Sequence, residues 1–591
     1  MSGEAEVLWT LALHLGLTAA PMVAAALLAV RLGARSVPLI LALALAASGA
    51  VAILAFWAYY ASPSIGRIWA FLVLFGSIEI AVWSCYRGRL DRRLLAELRT
   101  PLLLWVLGSF FLVYLGFLHG GVDQPLPMAS SRFSHQLPSD NDIPQFFSNW
   151  FFENGHHGTV PEFPGGWLSS DRPPLQIGYV LSQRAFAWDD APALHYQVLC
   201  VVVQQLWIVG MWAVLCAARL RPLVRGLAIL AATVSDVAIV HGFFVWPKLI
   251  ATAFLLAALA LVLSAGWERW RRDARVAGLF AALCALAMLA HGSSAFAIVP
   301  LLLFGAMRGM PSWRWLGVAA LVGAVAMAPW SAYQRYGDPP GDRLVKWHLG
   351  GVIDADERGA LETIVDSYGD AGVGGAIEAK WDSFTTMSGL PETPGEVGSA
   401  IADTADGSFD AAVETIRKRR FFSLLPFIGI FLLAPLAMLL ARTRGRNQQA
   451  EWRFAVFCLA FVAVGCLAWG LMLFGGPYAI ATLHAGALAV PLLAVCGCVA
   501  GLSATFPRFA IAVVVINAIG VLILYTPALT PLPGTSYSVF AAVIAAASLA
   551  GFGLVAFRAP PGSDEIRSQG TCRPKPGGEI GTATSRTPAL H

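Results

Sequence analysis

LILALALAASGAVAILAFWAY, residues 39–59, carries no charged side chain. A helix rises 1.5 Å per residue, so about 20 such residues cross a hydrocarbon core. The run FFSLLPFIGIFLLAPLAMLLA at residues 421–441 has the same character. Composition extends the reading to the whole chain. Of 591 residues, 57% are hydrophobic and 13% charged, against about 25% charged in a soluble domain. Most of the chain therefore faces something other than water, and a lipid bilayer is its first partner. A net charge of +4 on this length gives no reason to expect a nucleic-acid partner.

Hydropathy and length give about fifteen spans, near 8–30, 37–59, 66–84, 101–118, 192–218, 224–242, 247–265, 276–290, 293–307, 315–331, 421–441, 454–475, 478–500, 509–526 and 536–557. The fold class expected is an all-α polytopic membrane bundle with two external loops. The run over 276–307 would be about 48 Å long as one helix, so it is split at His291, Gly292, Ser293 and Ser294. The N-terminus carries Glu4 and Glu6 rather than Lys or Arg, which argues for a retained first span rather than a cleaved signal peptide.

Lys/Arg bias in short loops sets orientation. Arg87, Arg89, Arg92, Arg93 and Arg99, the segment 219–225, the group Arg269, Arg271, Arg272 and Arg275, and the group Arg442, Arg444 and Arg446 fall on one side of the span count. That side is cytoplasmic, which places the chain in a bacterial inner membrane with residues 119–192 and 331–420 facing the periplasm or exterior. The second loop is acidic over 354–414 and is expected to form small helices. Arg417, Lys418, Arg419 and Arg420 at its end oppose the bias: either they meet an anionic group outside, or the span count is off. The nine cysteines (Cys85, Cys200, Cys216, Cys284, Cys458, Cys466, Cys496, Cys498 and Cys572) avoid both loops, so no disulfide framework is expected. Cys496 and Cys498 read as buried small apolar residues. No internal repeat is visible, and the tail from Pro560 has a disordered composition.

The first outer loop holds the candidate chemistry. Ser139-Asp140-Asn141-Asp142-Ile143-Pro144 leads into an aromatic run over 146–152 that closes at Gly155. Phe146, Phe147, Trp150 and Phe151 recur at helical spacing, as in a helix lying in the membrane interface. Trp167-Leu168-Ser169-Ser170-Asp171-Arg172-Pro173-Pro174-Leu175 follows, and its prolines fix the backbone that presents Arg172. A carboxylate there can act as general base on an acceptor hydroxyl. A guanidinium can hold a lipid-linked phosphate and offset its growing charge. The plainer alternative is that Asp140 caps the helix and Arg172 anchors to headgroups.

These motifs resemble the first external loop of the C-superfamily of glycosyltransferases, which includes protein O-mannosyltransferases and lipid A aminoarabinose transferases. Asp140 matches that group's first acid, Gly155 its helix-ending glycine, and Arg172-Pro173-Pro174-Leu175 its Lys-Pro-Pro-Leu. The resemblance implies catalysis by Asp140, donor-phosphate binding by Arg172, and an inverting transfer from a polyprenyl-phosphate-linked sugar to a glycan, lipid or protein acceptor. It covers about the middle half of the chain. Asn141 stands where a second acid is common, leaving Asp142 to take that role. Pro144 replaces a frequent tyrosine, and Arg172 replaces a lysine with a group that also binds phosphate. The divisions that follow are added helices at 1–100, a catalytic module at 101–330 with its loop at 119–191, a second outer loop at 331–420, closing helices at 421–557, and a cytoplasmic tail at 558–591.

Further polar residues fall near outer span ends and are candidates for the same cavity. Lys248, after Trp246-Pro247, is a candidate second phosphate ligand. Asp171, His241, His291, Tyr478 and His484 join it, with Arg343, Lys346 and His348 from the second loop. Each histidine also reads as an ordinary hydrogen-bonded helix-end residue. No spacing demands a metal, although a divalent cation between Asp140, Asp142 and a phosphate is compatible with it, and no organic cofactor is expected. Two alternatives stay open. A transporter or flippase of a lipid-linked or polar solute would need ionisable residues at mid-membrane and broken helices. A polymerase or ligase using a diphosphate-linked glycan could draw on Arg417 to Arg420.

Overall fold

The structure is a computed structural model. It describes residues 3–86, 92–133, 137–186, 191–354, 356–390, 392–441, 449–475, 488–529 and 532–558. Among these residues the elements are all helices, with a single isolated bridge between Phe163 and Trp167. Nine helices are long and apolar enough to cross a membrane, or up to eleven if each of two bent pairs is one span. The chain is therefore a multi-pass integral membrane protein. Each expected span coincides with helix, although residues 478–487 of the thirteenth lie outside the described residues. The count by length falls below fifteen because Lys248–Leu263, Ala274–Ala290, Ser294–Met307 and Ala489–Thr505 are shorter than a full crossing. The break expected near His291 is present between Ala290 and Ser294.

Burial sorts the helices into layers. Trp207–Ala217, Lys248–Leu263 and Ala489–Thr505 are buried on nearly every face, as an all-round apolar helix must be when it lies inside a bundle. Pro63–Tyr86 and Trp313–Ala332 bury few of their residues and form the apolar outer surface. Val37–Ala61 starts at a proline in its first turn and ends at Ser62, before Pro63. It packs against Leu175–Arg184. Gly178 makes that approach feasible: a Cβ there would lie 2.1 Å from the Ala52 carbonyl oxygen. Small residues at such crossings let backbones close up where no hydrophobic drive operates.

The two long polar segments fold onto this bundle. Helix Ile143–Asn154 of the first buries Ile143, Phe147 and Phe151. Phe151 meets Phe56 edge-on at 5.3 Å between ring centroids, so the aromatic face packs on protein rather than lying solely against lipid. The helix ends at Gly155 with φ +59, where a Cβ would sit 2.9 Å from the Tyr59 carbonyl oxygen. Only glycine combines that left-handed backbone with that approach. The second segment forms Arg343–Gly350, Ala360–Ser388, Glu392–Ala405 and Phe409–Phe422, and Ala360–Ser388 is itself two helices that meet at a kink at Gly372 (φ +61), so the segment is a set of small helices, as expected.

The three arginines of the cluster at positions 417–420 find internal partners. Arg420 forms a bidentate pair with Asp236, Nη2 to Oδ2 at 2.7 Å. Arg419 pairs with Glu392 at 3.0 Å and with Glu396. Arg417 donates to the Phe133 and Arg132 carbonyls at 3.0 Å each. Arg132 in turn donates to the Tyr525 and Pro527 carbonyls at 2.9 and 3.1 Å, where the helix Pro507–Tyr525 ends. Guanidinium groups suit a helix C-terminus because its last carbonyls lack partners and carry partial negative charge. These three arginines thus meet anions and carbonyls of their own chain.

Candidate functional site

Asp140 lies in a 3-10 turn, Ser139–Asn141, directly before helix Ile143–Asn154. The N-cap position belongs to Asp142, whose side chain makes no capping bond. Asp140 instead accepts from Arg172 Nη2 at 3.0 Å, with the side chains 20% and 13% exposed. Asp140 is therefore not the cap of that helix. The two side chains hold each other, and both keep some access to solvent.

Arg172 is positioned from both sides. Its backbone is extended (φ −113, ψ 121), as a following proline requires. Its guanidinium lies over the Trp167 ring at 4.4 Å, and Arg343 lies over the same ring at 4.0 Å. The turn Ser169–Asp171 just ahead of it is clamped by Asp338, which accepts from Ser169 Oγ at 2.7 Å and from the Ser170 N–H at 3.2 Å. Gln334 adds a bond to the Ser170 carbonyl at 3.1 Å. The first residues of the second long polar segment therefore fix the arginine of the first. Arg172 Nε is buried with no hydrogen-bond partner, which leaves donor capacity beyond Asp140.

A polar thread ties this turn to Lys248. Tyr196 donates to the Asn141 carbonyl at 2.6 Å, and Gln176 Nε2 lies 3.2 Å from the Tyr196 hydroxyl and 2.9 Å from the Val245 carbonyl. Val245 has φ +58, an uncommon backbone for a β-branched residue. Such strain persists where surroundings over-determine it; here the bond from Gln176 does so. The turn leads through Trp246 and Pro247 into helix Lys248–Leu263. The Lys248 ammonium sits 3.4 Å from the centre of the Trp246 ring and within electrostatic range of Asp140 and Arg172.

His291 and His348 complete the cluster. His291 is within electrostatic range of Lys248, His348 and Arg172. In His348 the Nδ1–H donates to the Leu344 carbonyl at 2.7 Å, so Nε2 is the acceptor nitrogen; it is buried and without a partner. Burial pushes the His348 imidazole down to about 4, opposed by the Leu344 bond and aided by Lys248 and Arg172. It is a neutral acceptor at ordinary pH. Burial also raises Asp142 above the usual carboxylate range. Asp171 is raised by burial too, although the Leu168 N–H, Arg343 and Arg172 oppose the shift; its Oδ2 accepts from Leu168 N at 3.0 Å.

Asp140, Arg172, Lys248, His291 and His348 thus come together from four separate parts of the chain, with Asp171 and Arg343 beside them. His241 is buried between Trp246 and Phe421, 5.6 and 5.0 Å away by ring centroids, one side chain removed from Lys248. Lys346 is turned away, held by Asp342 at 2.8 Å and the Asp356 carbonyl at 2.6 Å. Tyr478 and His484 lie outside the described residues. The sequence reading missed Trp167 as the plate between two arginines, and Gln176 and Tyr196 as the thread. The only signal for these two was their polarity within helices of otherwise apolar character. Among the described residues no group of three or more His, Cys, Asp or Glu is arranged to hold a metal. The arrangement offers one carboxylate, several fixed cations and one neutral imidazole acceptor around a common point. No protein-family model, no curated protein and no solved structure matches this chain.

Proposed function

We propose that this protein is a membrane glycosyltransferase that moves a sugar from a polyprenyl-phosphate donor to an acceptor on the extracytoplasmic face of a bacterial inner membrane. The observation that carries the reading is the Asp140–Arg172 pair, part exposed and backed by Lys248. In the resting protein Arg172 holds Asp140. A donor phosphate displaces Asp140 from the guanidinium, which binds it through two N–H groups, with Lys248 adding a point charge. Asp140 is then free to take the proton of an acceptor hydroxyl. The acceptor oxygen forms a bond to the anomeric carbon while the bond from that carbon to the phosphate oxygen breaks. The carrier phosphate leaves with the electron pair, which Arg172 and Lys248 stabilise. Attack opposite the leaving phosphate inverts the anomeric configuration. His348 Nε2 is a fixed acceptor for a sugar hydroxyl.

The test is turnover by purified protein in nanodiscs, given a panel of polyprenyl-phosphate sugars and a membrane extract as acceptor source. Carrier release and sugar transfer in the wild type, lost in Asp140→Asn, support the reading. No release from any donor in the panel, with no thermal response to the carrier, contradicts it.

One observation favours the transport alternative. Two helices are broken, by 53° between Thr233 and Asp236 and by 108° between Phe422 and Leu424, and Asp236 and Arg420 lie beside those breaks. Discontinuous helices with charges are a transporter feature. Against it, Asp236 and Arg420 satisfy each other, and Asp236 is fully buried. Solute flux in proteoliposomes without glycosylated product would favour transport.

A further inference from the structure

A second cavity, of about 830 Å³, lies where the beginning of helix Gly3–Arg31, the end of Arg92–Gly116, the beginning of Pro192–Gln204 and the segment before Val539–Phe557 meet. Its volume falls in the range of small-molecule sites, about 300–1,000 Å³. Charge bias puts all four of these helix ends on the outer side, the side of Asp140. Its wall carries Glu4, Glu6 and Asp123 together with the aromatic rings of Tyr114, Phe117 and Tyr537. Glu4 accepts from Ser538 Oγ at 2.6 Å. Tyr114 is 2% exposed, its hydroxyl has no hydrogen-bond partner, and it lies within electrostatic range of Glu4 on the same wall. A buried hydroxyl left unpaired costs free energy that a ligand's hydrogen bond would recover.

The sign of this cavity separates it from the first site. Three carboxylates repel a phosphate, so the cavity is unsuited to the carrier or its donor head. Carboxylates accept hydrogen bonds from hydroxyl and amino groups, and aromatic rings cover the apolar faces of sugar rings. We infer that this cavity binds a phosphate-free glycosyl unit, neutral or amino-bearing, and that in a transferase it seats the acceptor. The acceptor role rests on the function proposed above. The wall also connects to that site: Pro125 lines the cavity and opens the short helix Pro125–Ser131. From that helix Ser130 Oγ bonds Asn141 Oδ1 at 3.2 Å, and the Leu126 carbonyl accepts from Asn141 Nδ2 at 3.2 Å. Asn141 is the neighbour of Asp140, so a ligand seated in the cavity leans on the element that positions the base.

The experiment is saturation-transfer NMR on the full chain in nanodiscs. The probes are neutral gluco-, galacto-, manno- and arabino-configured disaccharides and a glucosamine dimer. Transfer to at least one saccharide is expected, with affinity about tenfold weaker in a Glu6→Gln/Asp123→Asn variant and also weaker in Tyr114→Phe. Excess polyprenyl phosphate is expected to leave binding unchanged. A retained thermal shift with polyprenyl phosphate shows that the cavity variants are folded. No transfer to any probe, equal binding in both cavity variants, or displacement by polyprenyl phosphate overturns the inference. Saccharide binding with no donor turnover would keep the cavity as a glycosyl site and remove the transferase reading; turnover without saccharide binding would do the reverse.

Discussion

Two of this protein's arginine–aspartate pairs, Arg420–Asp236 and Arg172–Asp140, are built from the same groups and placed in opposite circumstances. Asp236 is fully buried, and both its oxygens are engaged: Arg420 donates through Nε and Nη2, and the Tyr525 hydroxyl lies 3.1 Å from Oδ1. Asp140 has one bond to Arg172, and both partners keep access to solvent. The first pair offers a ligand no access to its carboxylate. Its work is to join the helix Asp236–Phe244 to the helix Phe409–Phe422 at the point where each follows or precedes a break. The second pair has spare lone pairs on one side and spare N–H groups on the other. Residue identity does not separate a fastening from a site; the unused hydrogen-bonding capacity does.

The largest expected difference concerns catalysis. Asp140→Asn lowers transfer by about 10²–10⁴-fold, the usual contribution of a positioned general base, and leaves the melting temperature in detergent close to wild type. Activity retained in this variant breaks the comparison at once. Asp236→Ala does the reverse. It destabilises by about 3–5 kcal/mol, because Arg420 is left as an uncompensated buried charge, and thermal unfolding reads the loss. The double variant Asp236→Leu/Arg420→Met recovers most of that stability, since well-packed apolar residues often replace a buried pair without cost. Recovery sharpens the assignment of a purely structural role.

A pH effect comes next. The His348 imidazole is held near 4 in the fold and returns to about 6.5 when unfolded. Its neutral form is thus favoured in the native state. The corresponding stability is complete above pH 6.5 and is lost as pH falls toward 4. Unfolding measured at pH 7 and pH 5 shows a drop in the wild type that is smaller in His348→Gln. The smallest effect belongs to a third pair, at the surface. Arg419 faces Glu392 and Glu396, which are 71% and 38% exposed. Glu392→Ala changes stability by at most about 1 kcal/mol in the same assay.

Much of this was legible in the sequence, for physical reasons that differ by region. The apolar blocks announced helices because a bilayer core imposes a length, and even the break at His291 could be read from a run too long for one crossing. Gly155 was legible as the residue that closes the aromatic run, and the fold adds the reason: its left-handed backbone next to the Tyr59 carbonyl tolerates no side chain. Asp140 and Arg172 stood out as charges flanking rigid turns. What pairs with what was hidden. Arg420 and Asp236 are 184 positions apart, and only the folded chain shows that Arg419 and Arg420, in the cluster opposing the charge bias, face carboxylates of the same chain. The acidic cavity was hidden for the same reason: Glu4, Tyr114, Asp123 and Tyr537 come from segments far apart in sequence.

The central claim is that a donor phosphate and Asp140 compete for Arg172. The most direct measurement is the affinity of sugar-free polyprenyl phosphate for wild type, Asp140→Asn and Arg172→Ala in nanodiscs. Binding about 10–100-fold weaker in Arg172→Ala, as expected from loss of a charged hydrogen bond, with Asp140→Asn binding as tightly as wild type or more so, is the predicted result. Equal loss in both variants would mean that the pair acts only as a fastening like Asp236–Arg420, and would contradict the account.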